Sequence, residues 1–314
     1  MVNIQKAAMI GCGAVGATSA FSLMQSGLFS ELVLIDANQQ KAEGEATDLS
    51  HGLPFGRPMK IYAGTYDDLA DCYLIIITAG AAQKPDETRI DLVNKNVKIF
   101  KSIIPEIVKR NTEGILLVVS NPVDILTYVT LKLSGFPTNR VIGSGTVLDT
   151  ARLKYLLGEH LQVDSRSIHA FIIGEHGDSE LAVWSSANIS GVDLYDYCRI
   201  TGISDPAAVL RQIYESVRDA AYSIIEGKGA TYYGIGMAVR RIAEAIVRDE
   251  HSVLPVSSMI SGHYGVEGIC LGLPSIVGRG GAEAVLDIPL SDEELTRLQS
   301  SARKMKELIE EIGA

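Results

Sequence analysis

The sequence predicts an α/β protein, a doubly wound parallel sheet followed by a C-terminal α+β domain. Three observations lead there. Short apolar runs without polar alternation recur six times in the first half, and helical patterns separate several of them. Such strands belong in a parallel sheet covered on both faces. After about residue 145 the pattern changes to long helical segments with two β-rich stretches near the end. The expected division is therefore residues 1–145 and 146–314.

In chain order, the six strands are "AAMI", "ELVLID", "MKIYAG", "YLIIITAG", "GILLVVSN" and "VIGSG". The clearest intervening helix spans residues 88–109. In the second half, helical periodicity covers residues 146–161, 206–226 and 232–248, followed by the β-rich "HSVLPVSSMI" and "GVEGICLGLPSIVG". The closing stretch has Ser291 and Glu294 at capping-box spacing. Its Leu295, Leu298, Ala302, Met305, Ile309 and Ile312 recur every three or four residues. That stripe predicts a helix packed on its own domain rather than a coiled coil.

Composition excludes several function classes. At 314 residues the chain can bury a large core, and 46% hydrophobic with 21% charged residues is an ordinary globular balance. No apolar run approaches the ~20 residues of a membrane span. The first residues read directly into a strand, without the pattern of an export signal. A net charge of −10 with no basic stripe argues against nucleic acid. Cys12, Cys72, Cys198 and Cys270 lie far apart, so neither a zinc site nor a disulfide framework is expected. Reduced thiols in an acidic protein point to the cytoplasm.

The first motif is "GCGAVG", residues 11–16, between the first strand and a helix. Gly11 permits a tight turn, Gly13 lets the backbone approach a pyrophosphate, and Gly16 allows close packing of helix on sheet. Val15 lies in the same turn. The helix N-terminus supplies amide donors for phosphates. Asp36 ends the second strand, twenty residues beyond Gly16, where a carboxylate accepts ribose hydroxyls. It would repel a 2′-phosphate, and neighbouring Ala37 and Asn38 bring no arginine. The expected cofactor is NAD rather than NADP.

"FIIGEHGDSE", residues 171–180, ends an apolar run in one histidine, His176, between Gly174 and Gly177. Hydride transfer to a carbonyl requires a proton, and imidazole has a suitable pKa. A carboxylate must orient such an acid and favour its charged form. The helix "TVLDTARLKYLL" offers Asp149 and, three residues on, Arg152 on the same face. Glu175 and Asp178 flank the histidine and are expected to favour its charged form further. Two more motifs, "AGAAQKPDETRIDL" and "SNPVDIL", follow the fourth and fifth strands, at the end of the sheet where ligands bind.

Taken together, the five motifs resemble, over nearly the whole chain, the L-lactate dehydrogenases of the lactate and malate dehydrogenase family. The resemblance implies a Rossmann domain, a substrate domain, and reversible NAD-dependent reduction of pyruvate to L-lactate. By this resemblance His176 is the proton donor and acceptor, Asp149 its partner, and Arg152 the fork onto the substrate carboxylate. Arg89 polarises the carbonyl from a mobile loop, Asn121 lies between substrate and nicotinamide, Thr231 walls the pocket, and Ile235 packs behind the nicotinamide. Gln83 stands where the malate enzymes have arginine. It would leave a second substrate carboxylate unpaired, which favours pyruvate over oxaloacetate. Asp86 stands where loops of this type usually have glycine, at some cost to loop closure. Lys154 and His169 match an intersubunit fructose 1,6-bisphosphate site, with lysine in place of arginine, and the family implies a homotetramer. The alternatives are a dehydrogenase for malate or another 2-hydroxy acid, a metal-dependent NAD glycosidase, for which the sequence offers no convincing ligands, and a non-catalytic module.

Overall fold

The computed structural model describes residues 1–81 and 88–313. Strands β1 (Asn3–Ile10), β2 (Glu31–Ile35), β3 (Lys60–Ala63), β4 (Cys72–Ile77), β5 (Ile115–Val118) and β6 (Val141–Gly143) correspond to the six apolar runs. Between them lie α1 (Ala14–Ser26), α2 (Gln39–Gly52), α3 (Arg89–Val108) and α4 (Val123–Ser134). The second half continues with α5 (Val147–Leu161), β7 (Ile168–Ile173), β8 (Leu181–Ile189), β9 (Val192–Asp193), α6 (Leu194–Ile200), α7 (Pro206–Lys228) and α8 (Tyr233–Val247). It closes with β10 (Ser252–Leu254), β11 (Ser257–Ser261), β12 (Glu267–Gly272), β13 (Ser275–Gly278), β14 (Gly281–Val285) and α9 (Asp292–Glu311).

One eight-stranded sheet runs in the order β12-β11-β6-β5-β4-β1-β2-β3. Strands β1 to β6 are mutually parallel, and β11 and β12 extend the sheet antiparallel. Side chains alternate between two cores. Ala8, Ile10, Ile75 and Ile77 face one side, with Phe100 of α3, Leu126 of α4 and Leu298 of α9. Ala7, Met9, Leu74 and Ile76 face the other, with Leu23 of α1, Ala42 of α2 and Val239 of α8. Burial on both faces explains why these strands carry no polar alternation. A third core joins Leu153 and Leu157 of α5 to Ile168 and Ile172 of β7 and Leu210 of α7.

Each of the two β-rich stretches divides at a proline. Pro255 separates β10 from β11, and Pro274 separates β12 from β13. Proline has no amide donor to continue a ladder. Hence β11 and β12 join the large sheet while β10 and β13 pair in a second sheet with β14. The parallel order brings the C-terminal ends of β1, β2, β4 and β5 to one edge, where the motifs lie. Among the described residues, no helix is long and apolar enough to cross a membrane.

Candidate active site

The turn after β1 forms a cradle. Gly11 has φ 102°, and a Cβ there would stand 2.5 Å from the Ala79 backbone nitrogen. A Cβ on Gly16 would come within 1.9 Å of the Gly11 carbonyl oxygen, so only glycine lets α1 begin so close to the turn. At Gly13 a Cβ would meet nothing within 4 Å, leaving its backbone open towards a ligand. Asp36 accepts the Cys12 amide at 2.7 Å and the Asn38 amide at 2.8 Å. The carboxylate is thereby held against the turn with lone pairs to spare for hydroxyl donors. A cavity of about 560 Å³ opens here, lined by Gly11, Gly13, Asp36, Lys41, Thr78 and Ile99 among others. Open backbone at a helix N-terminus, a nearby carboxylate and an apolar wall fit a dinucleotide.

The candidate acid–base group is assembled by α5 and β7. Thr146 and Thr150 give their hydroxyls to the Ile172 carbonyl at 2.6 and 3.3 Å, and Thr150 accepts the Ile172 amide at 2.9 Å. These bonds seat the first turn of α5 against the end of β7. That strand stops at Gly174, whose φ of 93° suits glycine and whose amide and carbonyl pair with Gly272. The chain then turns His176 towards α5. Its Nδ1 lies 2.6 Å from Asp149 Oδ2, and Arg152 Nη1 lies 2.8 Å from Asp149 Oδ1.

Burial works against the His176 charge, but the adjacent Asp149 carboxylate outweighs it, helped by Asp124 and, when it is ionised, by Glu180. The imidazole pKa is raised to about 9. Burial likewise disfavours the Asp149 carboxylate, yet His176 and Arg152 hold it below the usual carboxylate range. His176 side-chain exposure is 26% against 3% for Asp149, so the ring retains an open edge while its partner is enclosed.

Residues 5–143 match the model of the lactate/malate dehydrogenase NAD binding domain, and residues 146–314 that of the lactate/malate dehydrogenase alpha/beta C-terminal domain. The chain belongs to the lactate/malate dehydrogenase family. It is 58% identical to an L-lactate dehydrogenase of Acetivibrio thermocellus, over 98% of this chain and 96% of that one. It is 54% identical to L-lactate dehydrogenase 1 of Clostridium acetobutylicum, over 98% of each. A lactate dehydrogenase enzyme from a Medee basin deep-sea metagenome library superposes with TM-score 0.96, at 44% identity over the full length of both chains. The cradle lies within the matched NAD binding domain, and its lining fits that cofactor.

The other expected site residues lie on several elements. Asn121 follows β5, and its backbone carbonyl accepts the side chain of buried Asn96 at 2.7 Å. Thr231 lies half-buried between α7 and α8, and Ile235 packs on α8 against the core beneath the cradle. Val15 opens the first turn of α1. Lys154 is half-buried on α5, and His169 is exposed on β7. Arg89 begins α3 behind the Thr88 cap, but its side chain lies outside the described residues, as do Gln83 and Asp86.

Sequence reasoning misassigned the acidic surroundings of His176. Glu175 turns away, with Ser179 donating to its carboxylate and Ser301 of α9 accepting its amide. Asp178 is exposed. The carboxyl groups that support the imidazole charge, besides Asp149, are Asp124 and, in its ionised form, Glu180. Asp124 accepts the His176 amide at 2.8 Å and is 2% exposed. It stands in the quoted "SNPVDIL", where a buried carboxylate at the start of a helix was the available signal. Glu180 closes "FIIGEHGDSE", and no local pattern distinguishes it from its acidic neighbours.

Proposed function

We propose that the protein is an NAD-dependent L-lactate dehydrogenase that interconverts pyruvate and L-lactate. The observation that supports this reading most is the His176–Asp149–Arg152 constellation at the edge that carries the NAD cradle. When bound, NADH supplies the hydride for the carbonyl carbon. His176 provides the proton. Its Nδ1 is committed to Asp149, so Nε2 is the atom that gives the proton to the new alkoxide and recovers it in the reverse direction. Asp149 keeps the imidazole oriented and charged before transfer. Arg152 spends Nη1 on Asp149 and retains further N–H donors for the substrate carboxylate, which a guanidinium grips in two-pronged fashion. By family resemblance Arg89 polarises the carbonyl, Asn121 contacts the substrate, and Thr231 bounds a small pocket. Gln83 discriminates against a second carboxylate.

The decisive experiment follows NADH oxidation by the purified protein with pyruvate, oxaloacetate and 2-oxo-isocaproate in parallel. Pyruvate should give the highest kcat/KM. A preference for oxaloacetate would move the protein to the malate branch.

The same reading extends to regulation and assembly. Lys154 has no ion pair among the described residues, and burial lowers its pKa, leaving a cation without a countercharge near β7. With His169 it forms the proposed fructose 1,6-bisphosphate contact between subunits of a homotetramer. Lysine holds a phosphate as a point charge, more weakly than the bidentate fork of arginine. Adding millimolar fructose 1,6-bisphosphate at mildly acidic pH should lower the KM for pyruvate, and an unaltered saturation curve would remove the effector site from the proposal. The four cysteines are free and buried, in keeping with a reducing cytoplasmic setting.

A further inference from the structure

The Glu180 carboxyl lies within 4.8 Å of both a His176 ring nitrogen and an Asp149 carboxylate oxygen. Glu180 is 4% exposed, and its Oε1 is buried without a hydrogen-bond partner among the described residues. The backbone around it is fixed, its amide bonded to the Gly177 carbonyl at 3.1 Å and its carbonyl accepting the Tyr214 hydroxyl of α7 at 2.6 Å. Arg152 faces the group from α5 but is engaged by Asp149. Asp178 faces it from the preceding loop. Asp124, from α4, touches His176 and is common to every state of Glu180.

A buried carboxylate that lacks a donor and adjoins a second carboxylate takes up a proton rather than keep its charge. We propose that Glu180 is a positioning residue that holds a proton at neutral pH and thereby keeps the substrate pocket one unit more positive, matched to a monoanionic 2-oxo acid. Burial, then the Asp149 charge, raise the Glu180 pKa to about 8, against the opposing pull of His176 and Arg152. Loss of this proton places a negative charge beside the incoming carboxylate, so substrate affinity falls before His176 itself is deprotonated. The identity of the anion rests on the L-lactate dehydrogenase reading, whereas the protonation of Glu180 does not.

The test compares wild type with the isosteric Glu180→Gln, each with NADH bound. Oxamate, a non-reducible analogue of pyruvate, is titrated across the alkaline range. Wild-type affinity should begin to fall above about pH 8 and drop by more than tenfold per pH unit above about pH 9, where two protons are linked to binding, whereas in Glu180→Gln it should fall by no more than about tenfold per unit. Infrared spectroscopy of the same proteins supplies a readout independent of the substrate. A protonated-carboxyl band should be present in wild type at neutral pH, fade on alkalinisation and be missing from Glu180→Gln. Equal slopes in the two proteins, or an identical carboxyl band, overturn the inference. If neither protein binds oxamate while the band still depends on Glu180, the pyruvate reading fails and the protonated Glu180 stands.

Discussion

At the residue scale the proposed chemistry turns on one imidazole whose charge is set by its neighbours. His176 alone would titrate near neutrality, but Asp149 at 2.6 Å raises its pKa to about 9. In the proposed mechanism the protonated form is the one that reduces pyruvate, and it persists below that value. kcat/KM for pyruvate should therefore hold through neutral pH, decline from about pH 8 with Glu180 and fall more steeply above about pH 9 with His176, while kcat for lactate oxidation, which needs the neutral ring, rises towards pH 9. Asp149→Asn should bring the alkaline decline to lower pH, because the charge that supports the imidazolium is gone. His176→Asn should still bind NADH through the distant glycine turn yet lose ~10²–10⁴-fold in turnover. Stopped-flow NADH oxidation measures both, and retention of more than about half the turnover would remove His176 from the acid–base role.

At the element scale, helix termini set the positions of the site. The Ser291–Glu294 capping box was legible in the sequence and forms as read. The second task of Glu294 was not. Its carboxylate also accepts the Trp184 and Ser185 amides and the Ser185 hydroxyl, and so ties α9 to β8, the strand that begins beside Glu180. Such long-range bonds have no local signature. Burial alone would raise the Glu294 pKa, but these donors, Ser185 first, hold it below the usual carboxylate value. A depressed carboxylate stabilises the fold above its unfolded pKa, and that contribution is lost as pH falls through the folded value. Glu294→Ala should cost about 2–3 kcal/mol at neutral pH, with a smaller difference from wild type below about pH 4. Urea denaturation at the two pH values reads this. An equal loss at both would mean that the carboxylate charge contributes nothing.

At the scale of the whole molecule, the sheet crosses the division drawn at residue 145, since Ser257 of β11 pairs with Gly143 of β6. The two halves therefore share the hydrogen bonds of one sheet. On one face α1 and α8 leave Phe21 and Met237 exposed by 47% and 57%, and Ser22, next to Phe21, lies 3.5 Å from the Met237 sulfur. Apolar surface shared by two helices is a natural seat for a second copy in the proposed tetramer. Replacing both residues with glutamate should shift the mass seen by light scattering towards smaller species without unfolding the chain. An unaltered mass would place the subunit contact elsewhere.

The sequence by itself determined the doubly wound sheet and the tight glycine turn at Gly11, Gly13 and Gly16, because strand burial and turn geometry are written in local residue types. Spacing also placed Asp149 and Arg152 on one helix face, because helical periodicity is local. Only the tertiary structure decided that Thr146 and Thr150 seat α5 on β7, that Pro255 and Pro274 send adjacent strands to different sheets, and that Asp124 and Glu180 rather than Glu175 and Asp178 surround His176. The reason is the same in each case. Which partner a hydroxyl, a strand edge or a carboxylate meets depends on residues far away in the chain, and a charge acts through distance in space rather than separation in sequence.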